Sequence, residues 1–277
     1  MRSPIDCVPS QSLIALGLAA ALWFLPLPAK AQTGFDAIYT LSMAGISIGK
    51  LNWRAQINPN DYTLQASGRT SGILSVLVNG EGNVSLKGTM RDGRSQSASW
   101  SSKVTSRDEL SIVTMTFEAG KVRDLKVIEP PPESDRVPIN EAHKNSVIDP
   151  LSGFLIPAAA GDPLQPAACR RDLNIFDGRR RYDIALTFRR IDTATPEKGY
   201  NGPALVCAAR LSPIAGHRAS SPLVKYLLDG RDIEVWFVPI AGTQVLAPVR
   251  LSVASVIGNM VLRADQFETA PALASGK

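Results

Sequence analysis

Apolar side chains at every second position run through much of this chain, and that period admits few folds. Tyr39, Leu41 and Met43 alternate with Thr40 and Ser42; Leu51, Trp53, Ala55 and Ile57 repeat the pattern, as do Tyr62, Leu64 and Ala66. Later, Tyr182, Ile184, Leu186 and Phe188 alternate against Arg181, Asp183, Thr187 and Arg189, and Val249, Leu251 and Val253 against Arg250 and Ser252. A β-strand sends successive side chains to opposite faces, so such segments have one apolar and one wet face. Half-wet strands belong to antiparallel sheets, whereas parallel strands are covered on both faces and read as continuous apolar runs. Turn signals separate the segments at Asn58-Pro59-Asn60-Asp61, Arg91-Asp92-Gly93 and Glu118-Ala119-Gly120-Lys121. The pattern predicts an all-β fold of roughly eleven strands. The expected form is a large curved antiparallel sheet or barrel-like structure with two or three short helices.

Three segments depart from the period and are the sources of those helices. Residues 71–78 (SGILSVLV) are apolar without clean alternation and fit a short buried helix or a strand equally. Asp149-Pro150 ahead of Leu151, Phe154 and Leu155 offers an N-cap, a proline at the first helical position and i, i+3, i+4 apolar spacing, with Pro157 as an early stop. Ser221-Pro222 repeats the start signal ahead of Leu223, Val224, Leu227 and Leu228. Helices this short are expected to plug the open end of the curved sheet. Residues 129–146 (EPPPESDRVPINEAHKNS) are polar, proline-rich and aperiodic, which reads as an extended connection. It joins a front half, 35–128, to a back half, 147–268, of a single domain spanning 32–268. Residues 269–277 read as a flexible tail.

The N-terminus carries a different signal. Arg2 precedes an uncharged apolar run at 13–25 (LIALGLAAALWFL), followed by Pro26, Pro28 and Ala29-Lys30-Ala31, the small-x-small pattern of signal peptidase sites. As a helix that run covers roughly 20 Å, short of the ~30 Å hydrocarbon core an anchor must cross. Position 32 is Gln where a lipoprotein carries cysteine, and Cys7 lies ahead of the apolar run. Cleavage is expected between Ala31 and Gln32. The expected product is soluble and periplasmic, about 246 residues long, with no transmembrane span after processing.

Export changes what the cysteines mean. Once Cys7 is removed, Cys169 and Cys207 remain, and two cysteines in an oxidising compartment are expected to form one disulfide. A loop of this length is worth about 4 kcal/mol on the chain-entropy estimate. Their spacing is not the C-x-x-C of a redox dithiol, and a metal site would have only His143 and His217 to add. The formal charge of +5 is mild, and the basic residues are scattered apart from Arg179-Arg180-Arg181. Nucleic acid, which needs a concentrated basic face, is not expected as a partner.

Catalytic signatures are missing from the sequence. It has no G-x-S-x-G elbow, no H-E-x-x-H and no phosphate-cradling loop, so no catalytic, cofactor-binding or metal residue is assigned and no cofactor is expected. The paired carboxylates of a glycan hydrolase have no fixed spacing and escape this elimination. His217, in Pro213-Ile214-Ala215-Gly216-His217, reads as a ring bonded to loop backbone, and His143 as solvated. The three arginines beside Asp177-Gly178 admit two readings: binding an anionic head group, or pairing with Asp177 and Asp183. Trp53, Tyr62, Trp100 and Trp236 read as core or sheet-surface residues.

Several ordered motifs carry a resemblance. These are Asp149-Pro150-Leu151, Cys169, Ile175-Phe176-Asp177-Gly178-Arg179-Arg180-Arg181-Tyr182-Asp183, Cys207, Pro213-Ile214-Ala215-Gly216-His217 and Pro248-Val249. With them the back half resembles the family catalogued as domain of unknown function 3108, found in envelope proteins of bacteria with two membranes. Weaker agreement in the front half comes from Tyr39 with Gly45 and Gly49, and from Ser71-Gly72. The resemblance spans nearly all of the mature chain and implies an envelope location, but no activity and no active-site residue. More distantly, the layout is similar to the curved sheets of periplasmic lipoprotein carriers, a likeness of fold alone. Two expectations follow. One is a non-catalytic protein holding a lipid or acyl-chain ligand in a cavity lined by Tyr182, Ile184, Leu186 and Phe188 and by Val249, Leu251 and Val253. The other is an interaction module that supports envelope integrity by binding another envelope protein.

Overall fold

The computed structural model describes residues 33–72, 79–107, 109–128, 135–221, 224–225, 233–254 and 258–271. Tight turns set the frame of the front half. Ala44-Gly45, Asp92-Gly93 and Ala119-Gly120 all have positive φ at both positions. This is the two-residue turn whose twist matches that of the flanking strands. The front strands are β1 (Thr33–Met43), β2 (Ile46–Ile57), β3 (Asp61–Thr70), β4 (Gly80–Arg91), β5 (Arg94–Ser106), β6 (Glu109–Glu118) and β7 (Lys121–Ile128). Each pairs antiparallel with the next. The back half contributes β8 (Ile156–Pro157), β9 (Arg171–Phe176), β10 (Arg181–Ala194), β11 (Lys198–Gly199), β12 (Gly202–Ala215), β13 (Ile233–Pro239), β14 (Val245–Val253) and β15 (Met260–Pro271).

All belong to one 15-stranded sheet, because β1 pairs with β15 and the order continues through β14, β13, β12 and β10 to β9. Strands β14 and β15 pair only at one end, from Arg250↔Arg263 to Val253↔Met260. Where they part, β8 takes the free edge of β14 and β11 that of β15. The Tyr39 hydroxyl donates to the Pro248 carbonyl at 2.6 Å beside this fork.

The sheet curls without closing. Its main core draws Val113 and Met115 of β6, Val122 of β7 and Phe176 of β9 into one cluster with Phe35, Tyr39, Leu64 and Phe267. The two ends of the strand order therefore face each other. Residues 147–148 span the gap as a strap: Val147 N–H donates to Gly120 O (2.8 Å), Ile148 N–H to Asn174 O (2.9 Å), and Phe176 N–H to Ile148 O (2.9 Å). A Cβ on Gly178 would stand 2.3 Å from Val113 Cγ1, so the β9–β10 turn lies directly on β6. Exposed edges invite pairing with other chains, and here the strap takes up part of the β9 edge through Ile148.

A second core occupies the opposite face of the back half, where Ile156, Ala168 and Cys169 pack on Leu186, Leu205, Cys207, Val235, Phe237 and Leu246. The segment carrying the first three covers the sheet, and the Cys169–Cys207 disulfide ties it to β12. Arg171 anchors the same cover, donating to Ala168 O (3.1 Å), Gly93 O (2.8 Å) and Pro157 O.

The expected helices are corrected. Among the described residues the helical elements are single 3-10 turns at Glu141–Lys144, Ser152–Phe154 and Pro166–Cys169, plus a helical start at residues 224–225. Asp149 does cap, its Oδ1 accepting from Leu151 N and Ser152 N, but after one turn the chain is captured by β14 through Leu246↔Ile156. Residues 73–78, and most of the segment after Ser221-Pro222, lie outside the described residues, as do Ala31, Gln32 and the whole of the expected signal peptide. The tail begins later than expected. Strand β15 runs to Pro271, with Thr269 opposite Phe35 and Pro271 opposite Thr33, because a free edge of β1 outweighs the local composition.

Candidate functional site

Inward-facing rows across β2 to β5 change in size from one end of the sheet to the other. The deepest row is Ala55, Leu64, Leu86 and Trp100; the next is Trp53, Ala66, Val84 and Ser102. Nearer the rim come Leu51, Gly68, Gly82 and Val104, then Gly49, Thr70, Gly80 and Ser106. Bulky side chains therefore give way to bare backbone. A Cβ on Gly68 would lie 3.2 Å from Leu51 Cγ, and one on Gly82 3.3 Å from Val104 Cγ2, so these neighbours lean over the vacant positions. The result is an apolar trough of about 420 Å³, walled by Leu41, Leu51, Trp53, Trp100, Val104 and Leu151.

Leu151 reaches the trough from the strap, and a buried polar network fixes it there. Asp149 is 0% exposed. Its Oδ2 accepts from Ser97 Oγ and Ser152 Oγ, both at 2.5 Å, and its Oδ1 from Leu151 N (3.0 Å) and Ser152 N (2.9 Å). The Tyr62 hydroxyl donates to Ser152 Oγ at 2.6 Å. Burial pushes the Asp149 carboxyl above the usual carboxylate range against the pull of these hydrogen bonds. Burial, then the Asp149 charge, also raises the Tyr62 phenol. Saturated and enclosed, this cluster locks β3, β5 and the strap together rather than presenting a reactive group.

The trough opens where β1, β3 and β5 end and β2, β4 and β6 begin. The end of β9, the start of β10 and the end of β12 lie on that same side of the sheet. A second pocket, of about 390 Å³, forms there with Arg136, Arg180, Arg181, His217 and Arg218 in its wall. A further concavity, about 780 Å³, crosses the outer faces of β15 and β1 to β5 and is lined by polar residues including Asp36, Asn52, Arg54, Gln65 and Lys103.

None of the residues expected to line a cavity lines the trough, although Tyr182 lines the arginine pocket. Leu186 is buried in the second core with Ile184 and Leu251 against it, Phe188 is exposed, and Val249 belongs to the main core. Register shifts at Phe188/Arg190 and Trp236/Phe237 move the inward parity, which a uniform period cannot register. The arginine run does pair, Arg181 Nη1 with Asp183 Oδ1 at 2.5 Å and Arg180 with Asp177 at 3.8 Å. His143 Nδ1 accepts from Asn140 N at 3.2 Å in a capping box. His217 Nδ1, by contrast, is buried without a partner among the described residues, contrary to the expected bond to loop backbone. Trp53, Tyr62 and Trp100 are core, while Trp236 is flanked by Arg190 and Arg250, 5.4 and 5.2 Å from its ring centre. The sequence signal for the trough was the inward parity of Gly49, Gly68, Gly80 and Gly82, four glycines within strands and not turns.

Among the described residues no helix is long and apolar enough to cross a membrane, and no three His, Cys, Asp or Glu side chains converge as a metal site. A family model described as Protein of unknown function (DUF3108) matches residues 38–265. No curated protein matches the chain. Among solved structures, a β-barrel-like protein of domain of unknown function DUF1849 from Brucella abortus aligns with a TM-score of 0.44 and 10% identity, over 86% of this chain and 98% of that one.

Proposed function

The chain belongs to the family described as Protein of unknown function (DUF3108), a description that assigns no activity, and we propose that it is an exported, periplasmic envelope protein that binds a lipid or acyl chain without altering it. The observation that carries this reading is the trough floored by Gly68 and Gly82 and walled by Leu51, Trp53, Trp100 and Val104. Its volume of about 420 Å³ falls within the range of small-molecule sites. Burying eight methylenes there would contribute ~6 kcal/mol before the cost of immobilising the ligand is subtracted. Leaving glycines at inward positions costs strand stability, which makes sense if a ligand supplies the missing contacts.

The test begins with protein purified from a periplasmic extract. Its N-terminus should be Gln32, and native mass spectrometry should find a bound acyl-chain species. After delipidation, a twelve-carbon fluorescent fatty-acid probe should bind and raise the thermal midpoint. Gly82→Leu, which fills the trough, should weaken uptake about tenfold or more, the ~1.4 kcal/mol that a few lost methylene contacts amount to. Delipidated protein that takes up neither the probe nor any of a panel of envelope lipids would overturn the reading. The polar outer groove, with its Asp36–Arg54 pair, would then favour an interaction module that binds another envelope protein.

A further inference from the structure

Residues 176–183 and 213–217 take no part in the trough, yet pairing of β10 with β12 brings them together. Arg181 lies opposite Ala215, and Tyr182 opposite Pro213. The connection ahead of the strap packs along them: Val137 N–H donates to His217 O at 2.9 Å, Gly216 N–H to Val137 O at 2.8 Å, and Arg136 bridges to Arg218. The pocket so formed, about 390 Å³, has Arg136, Asp177, Arg180, Arg181, His217 and Arg218 in its wall.

The charges around it do not balance. Among the described residues four guanidiniums, of Arg136, Arg180, Arg181 and Arg218, meet three carboxylates, and each carboxylate is already engaged. Asp183 holds Arg181 Nη1 at 2.5 Å. Asp177 accepts the backbone N–H groups of Arg179 and Arg180 at 2.8 and 2.6 Å, and lies 3.8 Å from the Arg180 side chain. Asp135 accepts from Arg218 Nε at 3.3 Å and from the Ser220 hydroxyl. Arg136 Nε and His217 Nδ1 are buried and have no hydrogen-bond partner among the described residues. Unpaired buried polar atoms in a native protein call for an explanation, and a bound ion is one. Guanidinium forks in a recess match tetrahedral oxyanions in both charge and geometry.

We infer that this pocket binds a phosphate-type oxyanion. It also shares the trough's end of the sheet. Arg179 Nη1 donates to Ser111 Oγ at 3.2 Å, and Ser111 lies opposite Val104 of the trough wall. Resting on the reading of the trough as an acyl site, the ligand is then an acyl chain with a phosphate head group. The trough takes the tail and the arginine pocket the head.

Thermal shift and calorimetry on delipidated full-length mature protein test both halves, with inorganic phosphate, dodecyl phosphate and dodecanol as probes at constant ionic strength. Inorganic phosphate should stabilise wild type beyond a matched chloride control, and Arg136→Gln/Arg180→Gln should abolish that gain. If the double variant does not fold, Arg180→Gln alone, at a half-exposed position, should weaken phosphate binding severalfold. No phosphate effect, or an equal one in wild type and the variant, overturns the oxyanion site. Dodecyl phosphate should bind at least tenfold tighter than inorganic phosphate, and Gly82→Leu should remove that advantage. Equal affinity for the two phosphates overturns the joined ligand and leaves a site for free phosphate. Dodecanol binding as tightly as dodecyl phosphate overturns the head-group assignment while leaving the acyl trough in place.

Discussion

The two halves of the sheet solve the problem of a half-wet strand differently. In the front half the outer face stays in water, and β2 and β6 alternate between exposed and buried residues for most of their length. In the back half a covering segment lies over that face, so Ala204, Leu205, Val206 and Cys207 are buried in succession and Val245 to Val249 likewise. One half has a single core; the other has two, and the disulfide lies within the second. The trough lies in the half with the single core, where glycines replace packing side chains, and the disulfide reinforces the opposite half. Sites that must admit a ligand are drawn from the less tightly packed parts of a fold, and the rest must hold the frame.

This contrast can be broken most directly on the outer faces. Leu205→Ala in the second core should cost about 2–5 kcal/mol, whereas Gln65→Ala on the wet face of β3 should stay within about 0.5 kcal/mol. Urea denaturation of both variants reads the difference, and equal small effects would mean that the back cover packs loosely. The disulfide comes next. Denatured mature protein should show no free thiol before reduction and two after it. Cys207→Ser should lose about 2–4 kcal/mol, mainly through greater freedom of the unfolded chain, while probe binding in the front trough is retained.

The smallest effect sharpens the joint between the halves. Burial raises the folded pKa of Asp149 above its unfolded value. Between those values the native protein holds a proton that the unfolded chain has released, so stability from this group falls as pH rises through and above the ordinary carboxylate range. For one proton the slope is at most about 1.4 kcal/mol per pH unit. Asp149→Asn should flatten that fall in denaturation curves taken across the acidic range. Glu234 acts with the opposite sign, because its hydrogen bonds to Arg190 hold its carboxyl low, and the difference between variant and wild type removes its contribution. An unchanged slope would show that the hydrogen bonds to Asp149 outweigh its burial.

Much of the front half was legible because its strands obey a single rule. Trp53, Ala55, Ile57, Tyr62 and Leu64 all point inward as their parity requires, and Asp92-Gly93 makes the turn its residue types favour. The back half was harder to read. At Val249 a bulge changes the face of the strand, and at Asp149-Pro150 a sound helix start ends after one turn because β14 offers Ile156 a partner. The trough was hidden for a related reason: a glycine in sequence announces a turn, and only register shows that Gly68 and Gly82 lie opposite each other on the inner face.

By itself the sequence determined the class of fold, because a period of two is a local property that every residue of a strand carries. It also held the elements of both proposed sites, the in-strand glycines and the two arginine- and histidine-bearing motifs. Only the tertiary structure decided which faces became cores and where the strand order stopped. It alone placed the trough and the arginine pocket at the same end of the sheet. Those outcomes depend on pairings between residues far apart in the chain, such as Tyr39 with Pro248 and Val147 with Gly120. Local propensity does not encode contacts of that range, since their free energy appears only once the sheet has curled and water has left both sides.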